Sequence, residues 1–416
     1  MPTPVKINNP NSRNPRVLVA PLDWGLGHAT RCIPIIKELL NRKCEVIIAS
    51  TGAQKALLQR EFPSLTFVEL AGYGVSYDKN RALTILRLIA TIPKILIRIK
   101  QEKAWLKQFS DLSRPDLVIS DNRYGLALPG VFCIFVTHQL RIRTSFGRLA
   151  DTILQRMNYR LIGHFSRCWV PDTETGEGLA GVLSHPTWLP DIPTKYIGWL
   201  SRFGKISQQD GDRAPDPENP GSADLMEGAL EGPDLATGES GTSDLEKVEP
   251  ELLILLSGPE PQRSLFEASI MAQAGRNSCR IILVRGLPEG GAMLSNIPSG
   301  LTVYDHLPAT ELESLMKKAR LVVARSGYST VMDLARLGKR ALLIPTPGQP
   351  EQEYLGRFLA GKGWAVCVKQ SDFSLQGSLS LARESVTGIL TSEPQERLLE
   401  AEIGAVLAML EMDAQV

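Results

Sequence analysis

The sequence predicts an α/β protein of two Rossmann-like parallel-sheet domains facing a cleft. Three observations lead there. Short continuous apolar runs alternate with helix-compatible segments, the pattern of parallel strands covered on both faces. The alternation occurs twice, and each half opens with a strand running into a Gly-containing turn and a helix. Between the halves, Ser207–Pro250 holds six Gly, five Pro and four Ser with no aromatic residue, and cannot bury enough apolar surface to offset its ordering entropy. At 416 residues the chain is also too long for one ordinary core.

In the first half the opening strand is Arg16–Pro21, and the helix that follows its turn runs from His28 to Arg42. Further strands are expected at Glu45–Ser50, Thr66–Leu70, Asp116–Asp121, Val131–Thr137 and Cys168–Pro171. The alternation restarts at Glu251–Ser257, with a helix from Pro261 and strands at Arg280–Arg285, Leu301–Tyr304, Arg320–Arg325, Arg340–Pro345 and Trp364–Val368. The tail from Leu375 to Met412 reads as helical. The expected division is a disordered N-terminus at 1–15, a first Rossmann-like domain at 16–203, an acidic Gly/Pro/Ser-rich disordered linker at 204–250, a second Rossmann-like domain at 251–395 and a C-terminal helix at 396–416.

The net charge of +1 is a cancellation between unlike parts. Ser207–Pro250 carries 12 acidic and 2 basic residues, so the remainder holds 44 basic and 33 acidic residues, a net of +11. A basic folded part admits an anionic partner: a nucleotide diphosphate, an acidic lipid or a nucleic acid. The six cysteines are scattered without C-x-x-C spacing, which fits a reducing cytosol better than a disulfide framework or zinc site. The polar, basic first 16 residues lead into no apolar stretch of signal-peptide length, and no uncharged run approaches the ~18 residues of a membrane span. The expected location is cytoplasmic.

Gly25-Leu26-Gly27-His28-Ala29-Thr30-Arg31 follows the first strand. Its glycines permit a sharp turn and bring His28 to a helix N-terminus at the carboxyl end of the sheet, where ligands of open α/β sheets bind. An imidazole there suits a general base; a glycine turn with an incidental His is the other reading. Asp121 closes a strand on the same side and could orient that imidazole, or cap a helix. Thr137-His138-Gln139 repeats the placement, with His138 either facing the cleft or packed in a turn.

In the second half, Ser257-Gly258-Pro259-Glu260-Pro261 can meet a diphosphate through backbone N–H groups and the helix end, although Pro261 equally fits plain helix initiation. Ala324 to Asp333 and Ile344 to Tyr354 both begin at strand ends and enter helices. They bring together Arg325, Ser326, Gly327, Thr330, Asp333, Gln349, Glu351 and Gln352, in which a cation and N–H donors suit phosphates, a carboxylate suits ribose hydroxyls and amides suit sugar hydroxyls. Otherwise Ser329 or Thr330 caps the helix and Asp333 is solvated.

Two apparent motifs are set aside. Gly356 to Lys362 mimics a P-loop but continues with Gly363 inside a helix, and Asp210-Gly211-Asp212 lies in acidic low-complexity sequence after no strand. The basic segment Arg81–Lys103 contains one acid, Glu102, and Pro93, which is expected to split it into two short helices. It reads either as a surface for an anionic membrane, giving a peripheral position on the inner face of the cytoplasmic membrane, or as core helices with solvated cations.

Together these residues resemble the GT-B glycosyltransferases of family 28, the family of the MurG N-acetylglucosaminyltransferase. The resemblance runs from about Arg16 to Val368 and is most specific from Arg325-Ser326-Gly327 through Asp333 and on to Gln352. It implies an inverting transferase that moves a sugar, N-acetylglucosamine among the candidates, from a UDP-sugar to an unidentified acceptor, lipid-linked in one version. It implies no bound metal, no cofactor beyond the nucleotide-sugar co-substrate and no nucleic acid partner. Ser257 and Gly258 would face the diphosphate, Asp333 would take the ribose role usually held by Glu, and Gln349 to Gln352 would meet the sugar. Gly25, Gly27, Arg31, Thr137 and His138 would lie on the acceptor side, with His28 the base and Asp121 its partner. The family's glycine-rich diphosphate turn is Gly-Pro-Glu-Pro here, and its usual His-Gln is Glu351-Gln352. Gly27-His28-x-x-Arg31-Cys32 also resembles the turn of UDP-sugar hydrolases, in which water is the acceptor. A sugar-nucleotide-binding protein without turnover is the third reading.

Overall fold

The computed structural model describes residues 13–73, 81–143, 147–203, 249–275, 280–383, 388 and 396–413, with 81–92, 148, 396 and 413 by backbone alone. The described residues form two parallel sheets. The first has seven strands, β1 (Arg16–Pro21), β2 (Glu45–Ser50), β3 (Thr66–Glu69), β4 (Leu117–Asp121), β5 (Phe132–Val136), β6 (Arg167–Val170) and β7 (Thr194–Tyr196), in the order β3-β2-β1-β4-β5-β6-β7. Helices α1 (Leu26–Asn41), α2 (Gly52–Glu61), α3 (Arg81–Ser113) and α4 (Arg148–Ile162) connect them. The second has six, β8 (Leu252–Leu255), β9 (Ile281–Val284), β10 (Leu301–Tyr304), β11 (Leu321–Ala324), β12 (Ala341–Leu343) and β13 (Val366–Cys367), in the order β10-β9-β8-β11-β12-β13. Helices α5 (Gln262–Ala274), α6 (Ala309–Lys318), α7 (Tyr328–Arg336), α8 (Pro350–Gly361), α9 (Leu375–Arg383) and α10 (Glu396–Asp413) complete the chain.

The apolar runs become strands because both faces are covered. Along β1, Val17 and Val19 pack into one buried cluster while Leu18 and Ala20 pack into another on the opposite face, so no strand position needs a polar residue. The strand order reverses between β1 and β4 in one sheet, where Pro21 pairs with Asp121, and between β8 and β11 in the other, where Leu255 pairs with Ala324. Those switch points open crevices at the carboxyl ends of the strands.

Three features differ from the sequence expectation. Helix α3 is continuous through Pro93 rather than split there. A proline removes one i→i−4 bond, but the helix extends for turns on either side, and its downstream part is anchored by Glu102, which accepts from Arg123 Nε and Tyr73 Oη at 2.8 Å each. Strand β7 was not anticipated: Thr-Lys-Tyr is short and only partly buried, so no apolar run announces it. Helix α10 returns to the first domain, where Ile403 and Val406 join the core cluster of α1. Trp169 Nε1 donates to Glu402 at 3.1 Å. The acidic segment expected at 204–250 lies outside the described residues except for Glu249 and Pro250, as do 1–12. No helix of the described residues is long and apolar enough to cross a membrane.

Candidate active site

The two crevices face each other across a cleft of about 400 Å³, lined from both domains and within the range of small-molecule sites. Gly25 caps α1 with φ 91°, a conformation open to glycine at little cost, and so aims the first turn of α1 into the cleft. The N-terminus of α7 approaches it from the other domain: a Cβ built on Gly27 would lie 2.5 Å from Ser329 Oγ. Two positive helix ends therefore converge on one space, a natural place for an anion.

His28 lines this space, and its Nδ1 lies 3.0 Å from Asp121 Oδ2. Asp121 is fully buried. Arg31, one turn further along α1, donates from Nε to both Asp121 oxygens at 2.9 Å and from Nη2 to Oδ1. Burial by itself would raise the Asp121 carboxyl, but Arg31 and then His28 hold it below the usual carboxylate range. His28 Nδ1 lies 3.0 Å from both the Asp121 carboxylate, which only accepts, and Arg31 Nη2, which only donates; a proton on Nδ1, bonded to Asp121, would leave the Nε2 lone pair for the cleft.

Arg31 also reaches His138, with Nη1 2.9 Å from Nδ1. His138 stacks on Tyr328 from α7 with centroids 4.2 Å apart, and its Nε2 lies 2.8 Å from Glu351 Oε1 at the start of α8. Gln139 Nε2 donates to the other Glu351 oxygen. A chain of polar contacts thus crosses from one domain to the other.

Residues 294–396, which contain α7, α8 and the loops before them, match the glycosyltransferase family 28 C-terminal domain. This chain is a GT-B glycosyltransferase whose C-terminal domain is similar to that of family 28. An uncharacterized glycosyltransferase of Methanosarcina acetivorans is 22% identical over 83% of this chain and 84% of its own length. The UDP-N-acetylglucosamine--N-acetylmuramyl-(pentapeptide) pyrophosphoryl-undecaprenol N-acetylglucosamine transferase of Methylorubrum extorquens is 33% identical, but over only 34% of this chain and 40% of its own length. The crystal structure of the glycotransferase of kitacinnamycin shares the fold, with a TM-score of 0.56 at 15% identity over 97% of this chain and 99% of that one.

In this glycosyltransferase the cleft gathers Gly25, Gly27, His28, Arg31 and His138 on one side and Ser257, Gly258, Gly327, Thr330, Gln349, Glu351 and Gln352 on the other. Asp121 stands behind His28. Four expected site residues are placed elsewhere. Arg325 points into the second domain, donating to the Ile344 and Gln262 carbonyls with its guanidinium 4.7 Å from the Phe266 ring centroid; burial lowers it to about 10. Ser326 is buried and donates to the Gln352 carbonyl. Asp333, expected at a ribose, accepts instead from Ser201 Oγ and Arg202 Nε at 2.8 Å each. Thr137 is buried and accepts from Gln139 N.

Polar residues that sequence reasoning missed also line the cleft, among them Arg141, Arg143, Arg202 and His306. His306 follows the carboxyl end of β10, so the positional rule that singled out His28 would have found it. Burial, with Arg60 and Arg202 nearby, lowers its imidazole to about 4 and leaves it neutral near pH 7. Arg202 carries no local signal, because only its pairing with Asp333 brings it to the cleft.

The polar chain makes stability pH-dependent. In Glu351, burial raises the carboxyl but His138, together with His28 and Arg31, brings the net shift downward. In His138, burial lowers the imidazole more than Glu351 raises it. Together with Asp121, these groups bind fewer protons folded than unfolded, so stability is complete above the unfolded values and is lost as pH falls through them. The loss should begin near pH ~6.5 with His138 and deepen below about 4 as the carboxylates protonate. A Tm series from pH 8 to pH 4 should fall accordingly; a flat series would contradict it.

Proposed function

We propose that this glycosyltransferase moves a sugar from a UDP-sugar to the hydroxyl of an acceptor in a single inverting displacement. The observation that carries the reading is His28, with Nδ1 engaged by a buried carboxylate and Nε2 left to the cleft where the N-termini of α1 and α7 meet. In this reading the acceptor O–H proton passes to Nε2 as the oxygen bonds to the anomeric carbon. The bond from that carbon to the diphosphate breaks with its electron pair on UDP. Charge developing on the leaving group meets the N–H groups at the start of α7, the Gly258 turn and Arg202, donors already held in place. The protein's own groups thus supply the stabilisation, with no resident cofactor assigned.

UDP is favoured by the donor in the name of the Methylorubrum extorquens relative, which also makes N-acetylglucosamine the first sugar to try. Leu22, Trp24, Tyr73, Ile95, Tyr124 and Ile142 line the acceptor side, an apolar wall suited to a lipid-linked acceptor. Beside it, Leu96 and Ile97 on α3 are 45% and 55% exposed and close in sequence to Lys94 and Lys100, which supports a peripheral position on an anionic cytoplasmic membrane face.

The test is a panel of UDP- and other NDP-sugars incubated with the purified chain, with NDP release measured with and without a lipid extract as acceptor. Release from a UDP-sugar that depends on the extract is expected. Equal release without extract would replace transfer by hydrolysis, and binding without release would make the chain a nucleotide-sugar-binding protein.

A further inference from the structure

We propose that Glu351 is a positioning residue that sets the catalytic base from the opposite domain, through a relay Glu351–His138–Arg31–Asp121–His28; the inference rests on His28 being that base. The links from Glu351 to Asp121 each have a defined donor and acceptor. Glu351 accepts, so His138 carries its proton on Nε2, 2.8 Å away. Nδ1 of His138 is then the unprotonated nitrogen and can accept from Arg31 Nη1 at 2.9 Å. With that arm satisfied, Arg31 turns Nε and Nη2 onto Asp121, and both Asp121 Oδ2 and Arg31 Nη2 stand 3.0 Å from His28 Nδ1, so the Arg31 placement bears on the base directly as well as through the carboxylate.

Without Glu351 the Nε2 proton loses its acceptor, and of these contacts only the Arg31 donation to Nδ1 is left to favour it. The Nδ1–H tautomer of His138 would set a donor against the Arg31 donor. Tyr328 stacking holds the His138 ring plane but not its proton. Gln139, adjacent to His138, donates to the second Glu351 oxygen and fixes the carboxylate relative to the ring. Because Glu351 opens α8 in the second domain and the other four belong to the first, the relay is complete only when the domains meet as they do here. A base correctly held only in the closed arrangement would restrict turnover to the assembled cleft.

Long-range ¹H–¹⁵N spectra of the full chain test this directly, since its five histidines can be assigned with single-histidine variants. The wild type should show His138 as the Nε2–H tautomer and His28 as the Nδ1–H tautomer; an Nδ1–H signal at His138 overturns the proposal without any variant. In Glu351→Ala, His138 should become a mixture of tautomers and the His28 nitrogen shifts should move with it. UDP release from UDP-N-acetylglucosamine should fall about tenfold in kcat, with UDP affinity by calorimetry little changed. Glu351→Gln, whose carbonyl still accepts from Nε2, should restore both. Unmoved His28 shifts in Glu351→Ala, or UDP affinity lost in step with turnover, would overturn the relay, the second by making Glu351 a donor ligand. Full turnover in His28→Ala would remove the base while leaving the nitrogen shifts to judge the relay.

Discussion

Replacing His28 with alanine should lower kcat for sugar transfer by about 10²- to 10⁴-fold, the usual contribution of a positioned general base, while UDP binding stays close to that of the wild type. The separation follows from geometry. His28 stands on α1 in the first domain, whereas the Gly258 turn, Gly327 and Thr330, which face the opposite side of the cleft, belong to the second. Removing the imidazole takes away a proton acceptor and no donor-side contact. The side chain is 16% exposed, so its loss leaves a small space open to the cleft rather than a hole in the core. Steady-state transfer and UDP calorimetry on one preparation decide the matter, and unchanged kcat would remove His28 as the base.

Asp121→Ala should be the most damaging single change to the first domain, costing about 3–5 kcal/mol. Both Asp121 and Arg31 are buried. Deleting the carboxylate leaves a guanidinium in the interior with two imidazole nitrogens, His138 Nδ1 and His28 Nδ1, in place of an anion, and an uncompensated buried charge costs far more than the net worth of the pair. Asp121→Asn should separate stability from chemistry. Its amide oxygen still accepts from Arg31, so denaturant unfolding should show a smaller loss. Its NH₂ group, however, presents a donor to His28 Nδ1, which favours the Nε2–H tautomer and leaves no lone pair toward the cleft. The Asn variant should therefore fold and turn over poorly. A well-folded Asn variant with wild-type kcat would dissociate Asp121 from catalysis.

These two residues were legible in the chain because both obey a rule that needs no tertiary information: polar residues directly after an apolar parallel strand emerge at the sheet's carboxyl end. The rule brings His28 and His138 to the cleft and Asp121 behind His28, and it fails for Arg325, which also follows a strand. Successive side chains after a strand leave in different directions, and Arg325 leaves toward Phe266 and two carbonyls rather than toward the cleft. Asp333 shows the same limit on a helix. Its position on α7 suits a ribose contact, but Ser201 and Arg202, more than a hundred residues earlier in the chain, reach it first. Pro93 shows that a local breaker can be overruled when a helix has length on both sides and a buried anchor such as Glu102.

Local pattern alone accounts for two parallel sheets, most of their strands and the glycine turns that open a crevice at each switch point. Burial on both faces demands continuous apolar runs, and sharp turns demand glycine, whatever the rest of the chain does. Tertiary structure decided which residues share the cleft, which cation is structural, and that Glu351 in one domain meets His138 in the other. Those outcomes depend on side-chain direction and on contacts between residues as far apart as 138 and 351, and periodicity carries no information about either.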